Sequence, residues 1–145
     1  MKFCNKLAAT SVLLILTMCV IVPTISAADY SKMETLSEAY FTDHTLKLGI
    51  LGPVVKISPS QVTVNYTSVS STTESMLLDL TVIVGAYWGI VHKFPEVGDL
   101  LITLEDRKGD ALGTLTCQKD WVKGMDDVKN VSAMSDVMQK VVGTW

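Results

Sequence analysis

The stretch STTESMLLDLTVIVGAYWGIVHKFP, residues 71–95, decides the architecture of this chain. Ser71 and Glu74 stand in the Ser-x-x-Glu order of a capping box, in which two side chains satisfy free backbone N–H groups at a helix start. Over residues 76–91 only Asp79 and Thr81 interrupt the apolar character. His92 and Lys93 then put cations where the negative end of a helix dipole favours them, and Pro95 stops the helix. Such a run reads either as a membrane span or as a central helix packed on a sheet. Asp79 inside it, and start and stop signals close at both ends, favour the packed helix. Gly85 and Gly89 lie four apart on one face, a spacing that pairs helices in membranes. In a packed helix it is expected to let the backbone approach the sheet closely.

Working outward, both flanks alternate with a period of two, the signature of strands with one buried face. Upstream, Val62, Val64 and Tyr66 alternate with Thr63, Asn65 and Thr67, and Ser58-Pro59-Ser60 is a turn. This predicts a hairpin of 54–57 with 61–68. Downstream, Leu100, Ile102 and Leu104 alternate with Leu101, Thr103 and Glu105. The turn at 106–110 contains Gly109, which adopts positive φ without a Cβ clash, and 112–118 returns as the partner strand. A helix is predicted over 29–45, opened by a second capping box, Ser31 with Glu34, and carrying the stripe Met33, Leu36, Tyr40 with Phe41 alongside. A last helix is predicted over 126–142, with Asp126 and Asp127 in its first turn and Val128, Val131, Met134, Met138 and Val141 on one face. The expected fold is an α+β domain of order α-β-β-α-β-β-α. Its two hairpins form one four-stranded antiparallel sheet around a central buried helix. A length of 145 residues fits one domain, and 48% hydrophobic against 19% charged residues supplies a packed core.

The N-terminus reads as an export signal. Lys2 and Lys6 are followed by an uncharged run over 7–22, then Pro23 and the small residues Ser26-Ala27-Ala28 that a signal peptidase accepts. The expected organisation is a signal peptide over 1–28 and a single domain over 29–145, secreted or at the cell surface. An uncleaved membrane anchor is the alternative, but the run is shorter than the roughly 20 residues a spanning helix prefers. A lipid anchor on Cys19 is disfavoured by the bulk of Met18. Cleavage after Ala28 leaves ten basic against fifteen acidic side chains, a net charge of −5. That balance repels phosphate backbones and gives no electrostatic pull toward anionic lipid, so no nucleic-acid partner is expected and contact with membrane only through the signal segment. Of Cys4, Cys19 and Cys117 only the last survives cleavage, and the mature chain closes no internal disulfide.

Candidate chemistry is sparse. Cys117 is the one candidate nucleophile, with His92 or a nearby acid as its partner, but a mid-strand cysteine in step with Leu115 reads more simply as a small buried hydrophobe. His44 and His92 lack the three or four spaced ligands of a metal site and read as helix-end surface residues. Asp106 and Asp110 flank a hairpin turn without the alternating acids of a calcium loop. Trp88 and Trp121 are candidates to line a ligand cleft, and otherwise belong to the core. Asn65-Tyr66-Thr67 and Asn130-Val131-Ser132 are glycosylation acceptor patterns. Neither a cofactor nor a metal is predicted.

The segments Gly98-Asp99-Leu100-Leu101-Ile102-Thr103-Leu104-Glu105-Asp106 and Leu112-Gly113-Thr114-Leu115-Thr116-Cys117-Gln118-Lys119-Asp120-Trp121-Val122, with the ending Val141-Val142-Gly143-Thr144, resemble small secreted proteins of methanogenic archaea. The resemblance covers roughly 98–145. It implies export and one compact domain, implies no activity, and marks Cys117 and Trp121 as a packing unit or a site. The sequence therefore points to a non-enzymatic extracytoplasmic domain that binds a protein partner or a small ligand. A thiol-dependent enzyme using Cys117, and a membrane-anchored surface protein, are the alternatives.

Overall fold

A computed structural model describes residues 26–43, 50–68 and 72–145. Its elements are α1 (Ala27–Asp43), β1 (Ile50–Ile57), β2 (Gln61–Ser68), α2 (Thr73–Lys93), β3 (Asp99–Glu105), β4 (Ala111–Cys117), α3 (Lys119–Lys123) and α4 (Val131–Val142). The fold is α+β, with a four-stranded sheet in the order β1-β2-β3-β4. Of the expected leader, residues 1–25 lie outside the described residues. Ser26 precedes α1, and the expected cut after Ala28 falls in the first turn of that helix.

The sheet is mixed, not antiparallel throughout. β1–β2 and β3–β4 are antiparallel hairpins, but β2 and β3 run parallel, with Gln61 opposite Asp99 and Thr67 opposite Glu105. The cause is α2. A helix of 21 residues is about 30 Å long, close to the length of a strand of eight residues, so it carries the chain back to the end where β2 began. The next strand then starts beside the start of β2 and must run parallel to it. At that return Gly98 is required. A Cβ there would lie 1.9 Å from the Ser60 carbonyl oxygen in the β1–β2 turn, and Tyr87 donates its hydroxyl to Gly98 O (2.8 Å). In the β3–β4 turn Gly109 has φ 87°, and Asp106 Oδ1 accepts from the backbone N–H of Lys108 (2.7 Å) and Asp110 (3.0 Å).

α2 turns Leu80, Ile83, Val84, Tyr87, Ile90 and Val91 into the core, the i, i+3, i+4 spacing of one helix face. Val62, Val64, Tyr66, Leu100, Ile102, Leu104 and Leu115 meet them from the sheet. Among the described residues α2 is the one helix long and apolar enough to cross a membrane. Its N-cap is Thr72, accepting from Ser75 N, and Ser71 of the predicted capping box lies outside the described residues. Neither glycine touches the sheet. A Cβ on Gly85 would meet Val128 and Met134, and one on Gly89 would meet nothing within 4 Å. The expected close approach to the sheet is therefore corrected: the larger side chains face the strands, and the glycines lie on the far side.

α1 begins before the predicted capping box. Ser26 and Asp29 supply the start, with Ser26 N and Oγ donating to Asp29 Oδ2 (3.2 and 3.0 Å). Ser31 and Glu34 are interior. α4 begins at Val131, later than predicted, because Asp127 Oδ1 accepts from Lys129 N (2.8 Å) and holds a turn there, and Asn130 Oδ1 caps the helix through Ala133 N (3.1 Å). Asp126 and Asp127 are thus not first-turn acids of that helix.

Side chains bond the backbone at both sheet edges. Glu38 Oε1 accepts from Val55 N (2.8 Å) and Glu34 Oε1 from Ile57 N (2.7 Å), so two carboxylates one turn apart on α1 take the outward N–H groups of β1. At the other edge Thr144 Oγ1 accepts from Thr116 N (2.9 Å) and donates to Val141 O (2.7 Å).

Candidate functional site

The candidate residues read from the sequence do not converge. Cys117 is fully buried on β4, opposite Leu100. Burial, and then the negative charge of Asp99, push its thiol up to about 12. A thiol so held is not ionised at neutral pH, and the thiolate is the nucleophile. His92 is exposed at the end of α2. Its Nδ1 donates to Trp88 O (2.8 Å), and its ring lies 4.2 Å from that of Trp88. Trp88 in turn donates Nε1–H to Met125 O (2.9 Å), tying α2 to the segment after α3. Trp121 is half-buried on α3, with Lys140 Nζ 5.9 Å from its ring centroid. His44 lies outside the described residues. Among those residues no three of His, Cys, Asp and Glu come together.

The two acceptor asparagines are placed differently. Asn65 points to the sheet face opposite the core and donates Nδ2–H to Glu105 Oε1 (3.1 Å). Asn130 is exposed and caps α4. Buried Asp79 is the other polar oddity. Ser68 Oγ donates to its Oδ2 at 3.4 Å, and among the described residues its Oδ1 has no hydrogen-bond partner.

The feature with the shape of a site is an apolar groove of about 880 Å³ between α1, α2 and α4. α1 contributes Met33, Leu36, Ser37 and Tyr40. α2 contributes Leu77, Thr81, Val82, Gly85 and Ala86. Val128, Lys129, Val131, Met134, Ser135 and Met138 come from α4 and the turn before it. Gly85, having no side chain, leaves room where α4 passes α2. Leu36 (54%), Tyr40 (48%), Leu77 (40%) and Val131 (82%) expose much of their surface. Thr81 turns its hydroxyl back to Leu77 O (2.7 Å), so it presents its methyl group outward. The walls therefore offer methionine and aliphatic surface with few polar groups, and the volume falls in the 300–1,000 Å³ range of small-molecule sites.

Sequence reading missed this groove. The stripe Met33, Leu36, Tyr40 with Phe41 alongside is split by the structure: α1 buries Phe41 and Ser37, while Leu36 and Tyr40 stay half open. An apolar stripe has the same pattern whether it faces a core or a groove. The one usable signal was that α2 is apolar nearly all round, with more hydrophobic surface than one sheet can cover.

No protein-family model, curated protein or solved structure matches the chain.

Proposed function

We propose that this chain is an exported, non-enzymatic binding protein whose site is the groove between α1, α2 and α4, and that it takes up a small apolar ligand. The observation that carries this reading is the groove itself: open, lined by three methionines and aliphatic side chains, in a domain whose thiol is buried and un-ionised. Methionine is flexible and polarisable, and adapts to irregular apolar ligands. Export rests on the charged start and uncharged run of residues 1–28 and on the resemblance to small secreted archaeal proteins.

Titration with Nile red, a neutral apolar dye, tests the site. The dye binds saturably at one site per chain, and Ala86→Trp, which fills the groove from α2, weakens binding at least tenfold while circular dichroism stays unchanged. Absence of saturable binding, or equal binding by a folded Ala86→Trp variant, would refute the proposal.

A further inference from the structure

We infer that the ligand is an amphiphile with an anionic head and a long apolar tail, its head held by Lys129. This rests on the groove being the binding site. Among the described residues Lys129 is the sole charged side chain in the lining, and none of them is an acid. It is exposed, and among the described residues its ammonium group makes no ion pair. The backbone holds its position: its N–H is fixed to Asp127 Oδ1 in the turn that opens α4. The chain as a whole carries a net charge of −3. Asp126 and Asp127 stand in the same turn but do not line the groove, so an anion lodged in it meets Lys129 as the one lining charge among the described residues, while the wall beyond is mostly apolar. A cationic amphiphile would meet Lys129 as a like charge.

Displacement of Nile red from the purified protein by three molecules with the same twelve-carbon tail tests the inference. They are dodecanoate, dodecanol and dodecyltrimethylammonium, each kept below its micelle concentration. Dodecanoate is expected to bind about fivefold tighter than dodecanol, the scale of one exposed ion pair, and the ammonium weakest. Lys129→Gln removes the difference between dodecanoate and dodecanol and leaves dodecanol binding unchanged, while Lys129→Arg retains the preference. Equal binding of dodecanoate and dodecanol by the unaltered protein overturns the anionic head but leaves the groove in place. So does a preference that survives Lys129→Gln. Failure of all three to displace the dye overturns the groove reading itself. So does a dimer in sedimentation velocity that Ala86→Trp dissociates, since the groove would then belong to a second copy.

Discussion

Asp79 is a carboxylate with no exposure, a long bond from Ser68 to one oxygen and, among the described residues, no partner on the other. Burial pushes its pKa up from 3.8 to about 6, against a smaller opposing effect of the Ser68 hydroxyl. A carboxyl whose pKa is higher in the folded than in the unfolded chain favours folding when protonated. Its contribution is complete below about pH 3.8 and is lost as pH rises through about 6. Asp79→Asn removes this titration at nearly constant shape. Urea unfolding should show the variant more stable at pH 8 by about 2–3 kcal/mol and little changed at pH 4, from 1.36 kcal/mol per pKa unit. An advantage that does not change with pH would contradict the assignment. Tyr66, whose hydroxyl ionises less readily because of burial and the nearby Asp79 charge, is the neighbour expected to report the same transition.

At the scale of elements, α1 does for β1 what a fifth strand would do. Unpaired strand edges are templates for association, and here Glu34 and Glu38 occupy the outward N–H groups of Ile57 and Val55. Each glutamate changed to alanine leaves a backbone donor unsatisfied, at a cost of about 1–3 kcal/mol. The double variant Glu34→Ala/Glu38→Ala should unfold at lower denaturant and sediment as larger species that the unaltered protein does not form. A monomer of unchanged stability would show that the two bonds do not protect the edge. This contact also marks how far the sequence could be read. The alternation in β2 and β3, the apolar run of α2 and the Asp106–Gly109 turn are local patterns, and the elements they predict are present. Glu34 bonds a residue 23 positions away, so its spacing from Ser31 suggested a capping box that does not form. The parallel pairing of β2 with β3 depends on the match between helix length and strand length, and no alternation encodes it.

Over the whole molecule, the two faces of the sheet divide the surface into unlike halves. One face carries Thr63, Asn65, Thr67, Thr103 and Thr114 together with Val54 and Leu101, and all of these side chains are half-buried or exposed. The other carries α2 and α4, and the groove opens on the side of α2 that the sheet cannot reach. α2 is apolar on two sides, one facing the core and the other lining the groove. The site was hidden from the sequence for the same reason: Met33, Met134 and Met138 fit the stripes of their helices as core residues, and only the packing of three helices leaves them around a shared space. The most direct test follows these methyl groups. In protein labelled with ¹³C at the methionine methyls, titration with dodecanoate should shift Met33, Met134 and Met138 together, saturating at one equivalent, while Met76 and Met125, outside the groove, stay in place. Shifts at Met76 or Met125 instead, or none at the three groove methionines, would contradict the account.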